Sequence, residues 1–459
     1  MGVAVTRPAA AVMLCRDGRI WLGRRGQTRF LPGFSVFAGG VCEKEESTYD
    51  AACRELAEET GIELPEGSTL LPFARAITPA YSKYRYDVQV FRLELPLQLE
   101  PVPDGREFAT GAWYTGPELL KKRAQGEVQL APPTYRQVRL WIDCQNAEKD
   151  WPDAQEAFAQ PPARNEQILP FAPGLTLVPL RTRAMPPAAW TNSVLVGEKS
   201  LYIIDPGGPD VRALMEEIAA RKAAGAEVEG VILSHHHPDH LDGYHALEMS
   251  HLPLYCHPLT RPLLPNDFPQ TRLLNDGDVL NLEDDLTMVS HFTPGHAPGH
   301  LAFELVERRA VLAGDMVSSL SSIVLPTDNG SLPDYMQSLQ KLQSLQANLV
   351  IPSHGPPWGF GSDPFGQTIQ HRHKREEQVL ALLSSEPHTV ENIAKRLYRV
   401  LDPRLVPAAQ ANVTHHLLKL ESDGKALKDE SRWLLNVGPA GSGVPKLQAG
   451  KNPGKPPRR

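Results

Sequence analysis

Cysteine is scarce in this 459-residue chain. Its five cysteines, Cys15, Cys42, Cys53, Cys144 and Cys256, stand singly, and no two form a CxxC pair. That scatter excludes a disulfide framework and a cysteine-built metal knuckle, and it fits reduced thiols in a cytoplasmic protein. Long apolar runs are lacking too: no window reaches the roughly 20 residues that a membrane-spanning helix needs. The run Ala9 to Cys15 is ended by Arg16 and Asp17 before it could serve as a signal core, so it reads as a buried strand. A dominant charge is also absent, because a net charge of -7 spread over this length gives no global attraction to nucleic acid or to an anionic membrane.

What is present is length enough for two or three hydrophobic cores. From residue 8 to 144, short apolar runs ("AAAVMLC", "IWLG", "FSVFAGG", "VQVFRLEL") surround one helical pattern, Ser47 to Thr60. Residues 145–173 are polar, contain five prolines and read as a linker. Residues 174–367 carry strand-like runs that often stop at Gly, Asp, Ser or His ("LYIID", "GVILS", "AVLAGD"), with helical segments at Val211 to Ala223 and Leu332 to Gln346. Residues 368–436 turn to helices with a strand-like end, "SRWLLN". Residues 437–459 hold five basic side chains and no acid, and are expected to be a disordered tail.

The stretch "SHHHPDH", Ser234 to His240, holds four histidines and an aspartate in seven residues. In an extended loop, residues two apart point the same way, so His235 and His237 can share one metal while Asp239 and His240 turn toward a neighbouring position. His236 then points elsewhere. Further ligands stand at the ends of other apolar runs: His296 in "TPGHAPGH", Asp315 in "VLAGD" and His354 in "IPSHGP". Imidazole and carboxylate in these numbers suit two metals of the zinc type. A site kept only for stability would more often be cysteine-rich and closed.

These residues resemble the metallo-beta-lactamase superfamily over roughly Pro179 to Pro357. The resemblance implies an αββα sandwich with its site at one edge. It implies two Zn2+, or another transition metal, with His235, His237 and His296 on the first, Asp239, His240 and His354 on the second, and Asp315 bridging them. Asp205 in "LYIIDPGG" would support the metal loop, Asp239 would also orient the attacking water, and His300 would support by hydrogen bonding. Such a pair lowers the pKa of water and polarises the bond attacked, so the expected reaction is hydrolysis of an ester, thioester, amide or phosphodiester. His257 and His291 read as hydrogen-bonded core histidines, and no chemistry is assigned to His245, His251, His371 or His373.

The first domain carries a second pattern. Glu55, Glu58 and Glu59 stand at i, i+3 and i+4, which puts three like charges on one helical face. That face is either solvated or neutralised by a hard cation such as Mg2+ or Mn2+. Gly40, then Glu46, then "RELAEETGI" from Arg54 to Ile62, match the Nudix box at every defined position. The resemblance implies a Nudix α/β/α sandwich, with the cation on Glu55, Glu58, Glu59 and the Gly40 carbonyl, and with Arg54 pairing to Glu46. It implies attack by water on a nucleoside-diphosphate-linked small molecule, with Glu58 and Glu59 catalytic and Glu107 a candidate base. ADP-ribose, dinucleotides, coenzyme A and capped RNA ends all remain open.

The third segment, three short helices and a hairpin, reads as a small winged-helix-like α domain in an α/β multidomain chain. Together with "WTNSVLVG" and "LPDYMQSLQKL", it resembles the lactamase-beta-like group, whose mitochondrial animal member is an endoribonuclease on single-stranded RNA. Ser234 and Ser353 depart from the usual Thr and Gly of that group without removing a ligand. The expected reaction of the second site is phosphodiester hydrolysis in single-stranded RNA; the alternatives are a glyoxalase II-like thioesterase acting on acyl thioesters such as acyl-coenzyme A, and a nucleic-acid-binding regulator with a sensing metal site. Oligomeric state is not encoded in these motifs.

Overall fold

The computed structural model describes residues 5–28, 30–79, 82, 84–159, 167–268, 271–384 and 386–436. The expected basic tail, 437–459, lies outside the described residues. The chain divides into two compact units, Met1–His371 and Arg372–Arg459.

In the first unit, a seven-stranded mixed sheet is built from β1 (Arg7–Arg16), β2 (Arg19–Arg25), β3 (Ser35–Val36), β4 (Ala38–Val41), β5 (Leu71–Ile77), β6 (Tyr86–Glu94) and β7 (Phe108–Thr115). β1 lies between β2 and a parallel β6, and is covered on both faces. Ala10, Val12 and Leu14 pack with Leu56 of α1 (Thr48–Thr60). Met13 and Cys15 pack on the other side with Leu119 of α2 (Gly116–Ala124) and Val138 and Trp141 of α3 (Pro132–Gln145). A strand buried on both faces reads as an unbroken apolar run, which is how "AAAVMLC" looks in the sequence. Within the segment expected as a linker, α4 (Ala154–Ala157) follows Trp151, whose ring packs 6.1 Å from Phe73.

Two further sheets face each other. One runs β14-β13-β12-β11-β10-β9-β8, comprising β8 (Leu169–Ala172), β9 (Leu175–Arg181), β10 (Trp190–Val196), β11 (Ser200–Ile204), β12 (Glu227–Ile232), β13 (Leu254–Cys256) and β14 (Thr271–Leu273). The other runs β15-β16-β17-β18-β19, comprising β15 (Val279–Glu283), β16 (Leu286–Phe292), β17 (Leu301–Leu305), β18 (Ala310–Gly314) and β19 (Leu349–Pro352). Leu177, Val194, Ile204, Leu301, Phe303 and Leu312 fill the space between them. α5 (Arg212–Ala223) covers the outside of one sheet through Leu214 and Ile218, and α7 (Leu332–Ser344) covers the other through Leu339 and Leu342. The result is the αββα sandwich, with α6 (Pro238–Leu241) at one edge.

The first sheet and this sandwich are joined by buried polar contacts. Arg308, 4% exposed, donates to the carbonyls of Ala124, Pro173 and Asp285 at 3.2, 2.9 and 3.0 Å. Phe34 from the first domain is fully buried in the inter-sheet core, edge-on to Phe171 at 5.9 Å.

In the second unit, α8 (Pro364–Leu383) continues past Arg372 and is followed by α9 (Val390–Leu397), α10 (Val406–Ser422) and a hairpin of β20 (Ala426–Asp429) and β21 (Arg432–Leu435). Val379, Ile393, Val413, Leu417 and Trp433 form its core. His388 exchanges backbone hydrogen bonds with Trp433, a single antiparallel bridge beside the two-stranded wing.

Removing the Arg308 side chain leaves three part-buried carbonyls without that donor. Arg308→Ala is expected to lower the stability of the first unit by about 2–4 kcal/mol, read as a fall in urea midpoint. In the second unit, burial opposes the charge on Glu376, but His416 and Lys419 outweigh it and hold the carboxyl at about 2. A depressed carboxyl contributes stability above its unfolded value of 4.5 and loses it as pH falls toward 2. Glu376→Gln should therefore weaken the second unit at pH 7 and converge with wild type across that window in calorimetry.

Candidate metal centres

Five strands end at one edge of the sandwich, and each delivers a polar side chain there. β11 leads to Asp205, β12 to Ser234 and His235, β16 to His296, β18 to Asp315 and β19 to His354. The turn of α6 adds Asp239 and His240, with His237 at its N-cap. Three donor groups result: His235, His237 and His296; His235, His240 and Asp315; and Asp239, His240 and His354. Within the first, His237 Nδ1 stands 2.9 Å from both His235 Nε2 and His296 Nε2. Elsewhere the separations are 3.6 Å for His240 Nε2 to Asp315 Oδ1, 3.4 Å for His296 Nε2 to Asp315 Oδ2 and 3.3 Å for His354 Nε2 to Asp239 Oδ2. Ligands bonded to one zinc at about 2.1 Å stand about 3.4 Å apart at a tetrahedral centre. His240 Nε2 and Asp315 Oδ1 are buried without hydrogen-bond partners, which is the environment a cation relieves. The residues present therefore fit a divalent metal.

Supporting contacts fix which nitrogen each ring offers. Asp205, 3% exposed, accepts from Ser234 N at 2.7 Å, from Ser234 Oγ at 2.6 Å and from His240 Nδ1 at 2.9 Å. His296 Nδ1 donates to Val324 O and His354 Nδ1 to Trp190 O, both at 2.9 Å, so their Nε2 atoms turn inward. His300 stands behind the cluster, with Nδ1 against Thr293 Oγ1 at 2.8 Å and Nε2 accepting from Asp315 N at 3.1 Å. Asn192 donates to Pro352 O and Gly355 O at 2.8 and 2.9 Å, and Thr191 Oγ1 to Asp239 O at 2.7 Å. Asn192 and Thr191 are functional neighbours that motif reading passes over. Their signal is the run "WTNSVLVG", which marks the strand and assigns neither residue a role.

Burial, followed by the neighbouring imidazoles, pushes His235 well below its usual value and His237 down to about 3. Neutral rings keep the lone pairs that metal binding requires. Burial opposes charge on His240 and His354 as well, but the carboxylates of Asp205 and Asp315 outweigh it at His240, and those of Asp315 and Asp239 at His354. The remaining histidines lie apart from the donor groups: His236 is half-buried, His257 stacks on Phe292 at 4.2 Å, His291 pairs with Glu304 at 2.9 Å and His245 with Asp267 at 3.1 Å.

The first domain carries Glu55, Glu58 and Glu59 on α1, which is capped by Ser47 and ends at Gly61; among the described residues their carboxylates do not gather into a three-donor group as those of the sandwich edge do. Arg54 bonds Glu46 at 2.9 and 3.0 Å, Val41 O at 3.2 Å, Glu55 at 2.8 Å and Glu58 at 3.2 Å, tying the preceding loop to the helix. A side chain at Gly40 of β4 would place its Cβ 2.2 Å from Glu55 Oε1, so the strand and that carboxylate are in close approach and a Cβ there would displace the end of Glu55. Glu59 accepts from Gly39 N at 2.7 Å, while its Oε1 is buried without a partner. Burial, then the charge of Glu107, lifts the Glu59 carboxyl to about 9. A buried carboxyl beside Glu55 and Glu107 fits a hard divalent cation, which would return it to the ionised form.

The metallo-beta-lactamase superfamily model matches residues 191–354, the NUDIX domain model residues 5–154 and the beta-lactamase associated winged helix domain model residues 389–433. The chain carries these three domains in the order NUDIX, metallo-beta-lactamase, winged helix. It is 27% identical over 270 residues to the beta-lactamase-like protein 2 homolog of Caenorhabditis elegans, covering 57% of this chain and 89% of that one. It is 31% identical over 197 residues to the atrochrysone carboxyl ACP thioesterase of Aspergillus fumigatus, covering 42% of this chain and 60% of that protein. A beta-lactamase domain protein from Burkholderia ambifaria shares the fold, with a TM-score of 0.51 and 21% identity over 60% of this chain and 95% of that one. The NUDIX and metallo-beta-lactamase domains make this a hydrolase of families that bind divalent metals. Among the described residues, no helix is long and apolar enough to cross a membrane.

The Asp205 carboxylate bonds Ser234 and His240 and so orients the metallo-beta-lactamase loop. Asp205→Ala is expected to cut zinc affinity by about 10–100-fold, measured as metal content after dialysis against a graded chelator, with the fold retained by circular dichroism.

Proposed function

We propose that the chain is a two-site metal-dependent hydrolase, with a NUDIX site for a nucleoside-diphosphate-linked molecule and a dinuclear metallo-beta-lactamase site for a small acyl thioester. The convergence of His235, His237, Asp239, His240, His296, Asp315 and His354 on one strand-end edge carries the second part. Those residues would hold two Zn2+ or similar ions, which when bound polarise the attacked bond and acidify water. Asp239 stays ionised because, although burial opposes its charge, His354 outweighs it; its carboxylate is the group placed to orient water and take its proton. At the NUDIX site, Glu55, Glu58 and Glu59 would hold Mg2+ or Mn2+, and Glu107, lying against Glu59, is the candidate base. Arg54 and Glu46 keep the loop that follows Gly40 and β4 on the helix.

The choice of thioester over RNA rests on charge. Residues 372–436 hold eleven Lys and Arg against nine Asp and Glu, a net of only +2. Lys395, Arg396, Arg404, Lys419 and Lys425 are each paired with a carboxylate. α10 carries one cation, Lys419, already held by Glu376 and Asp423. Nucleic-acid modules instead present an uncompensated basic face. The thioesterase named among the relatives supports the same choice. RNA is the second reading, favoured by the succession of metal domain and winged helix that resembles the lactamase-beta-like group.

The test compares wild type, Asp239→Ala and Glu58→Gln on acetyl-coenzyme A, labelled single-stranded RNA and ADP-ribose. Asp239→Ala should reduce thioester turnover at least about a hundredfold and spare ADP-ribose hydrolysis, and Glu58→Gln should do the reverse. RNA cleavage lost in Asp239→Ala, with no thioester turnover in wild type, would replace the first reading by the second.

A further inference from the structure

The segment that leaves His354 pairs back on β19, where Trp358 exchanges backbone hydrogen bonds with Val350 at 2.9 and 3.0 Å, and beyond that pairing it runs against the NUDIX domain. Gly359 N donates to Pro32 O at 2.8 Å, and Gln27 Nε2 to Gly361 O at 2.9 Å. The guanidinium of Arg24 lies 4.4 Å over the Phe360 ring. Gly33, at φ +76°, lies so close that an added Cβ would stand 2.2 Å from Phe360 O. The NUDIX loop pressed by this segment closes on itself through Arg25 N to Phe34 O at 2.9 Å and Gly33 N to Arg25 O at 3.1 Å. From that loop Arg25 pairs with Glu107, and Gly26 N donates to Glu107 O at 2.9 Å. Glu107 in turn presses its charge on Glu59. At its other end the segment is held at the second site, where Gly355 O accepts from Asn192 and His354 O from Ser318.

We propose that residues 355–361 of the metallo-beta-lactamase domain position the Arg25–Glu107 pair of the NUDIX site, with Phe360 as the positioning residue. The NUDIX active site is thus completed by the neighbouring domain. Phe360 meets Arg24 and Gly33, and through them it acts on the end of β2 that carries Arg25. Displacing a catalytic group by about 1 Å can cost on the order of a hundredfold in rate, so a partly relaxed loop should cost about tenfold. The kinetic part of this proposal rests on the NUDIX reading above.

The experiment uses the full chain as wild type, Phe360→Ala and Phe360→Tyr, with ADP-ribose and Mg2+ as the probe. Phe360→Ala should lower kcat about tenfold with KM within about twofold, and Phe360→Tyr, which keeps a ring beneath Arg24, should restore it. Zinc content and acetyl-coenzyme A turnover should stay within about twofold, since no ligand is moved. Backbone hydrogen exchange should rise in Phe360→Ala around Arg25 and around Glu107. Wild-type kcat in Phe360→Ala overturns the proposal, and so does a kcat loss that Phe360→Tyr fails to rescue. If wild type does not hydrolyse ADP-ribose, the substrate reading falls and exchange decides: a rise around Glu107 upholds the positioning contact, and unchanged exchange there overturns it.

Discussion

The carboxylate of Asp205 is the contact on which the metal edge depends. It is almost fully buried, and a bare carboxylate in that position would cost several kcal/mol. Three donors within 2.9 Å, two from Ser234 and one from His240, offset that cost. Because His240 spends Nδ1 on Asp205, its Nε2 must face Asp315. Because Ser234 is fixed, the next residue, His235, leaves β12 in one direction. Asp205 itself sits at φ +48°, a left-handed conformation that Asp tolerates better than most residues. One buried charge thus fixes a turn, a tautomer and the direction of a loop, and it does so before any ion binds.

This constraint explains why so much of the site was legible in the sequence. Ligands at strand ends are local features: a strand read by its apolar run must stop somewhere, and here it stops at His, Asp or Ser. The substitution of Ser234 for the more usual Thr is harmless for a visible reason, since the hydroxyl is what Asp205 binds and the lost methyl is not. The Nudix pattern was legible because its spacing is fixed by one helix and one loop. The contacts of Asn192 with Pro352, of Arg308 with Ala124 and Pro173, and of Phe34 with Phe171 were not legible, because each spans more than a hundred positions in the chain. No local period or motif encodes such contacts. The segment read as a linker from its prolines and polar residues also contains Trp151 and Phe158, whose packing on Phe73 and Phe91 depends on a sheet formed far upstream.

The same distinction separates what the third domain is from what it does. Its helices and wing follow from apolar spacing, and its core of Val379, Ile393, Val413, Leu417 and Trp433 needs no partner to explain it. Its charges are another matter. Cations placed to meet a phosphate backbone would repel one another unless a ligand neutralised them, so a binding face tends to leave them unpaired. Here Lys395, Arg396, Arg404, Lys419 and Lys425 are paired with carboxylates within the module, and Val406 and Leu418 of α10 are exposed apolar side chains. A module built this way supplies packing surface more readily than a grip on polyanion.

The two catalytic domains differ from a pair of beads on a string for a physical reason. A flexible tether would leave each sheet to bury its own edges and would keep the domain surfaces polar. Instead the NUDIX domain inserts the large apolar side chain of Phe34 into its neighbour's core, and the neighbour returns the fully desolvated Arg308 to three carbonyls. Both groups would be costly to expose, the first in apolar surface and the second in unmet hydrogen bonds. Separation of the domains is therefore opposed from both sides of the joint. Since the loop that bears Arg25 and the segment that follows His354 meet inside that joint, the geometry of each candidate site is set partly by the folding of the other domain.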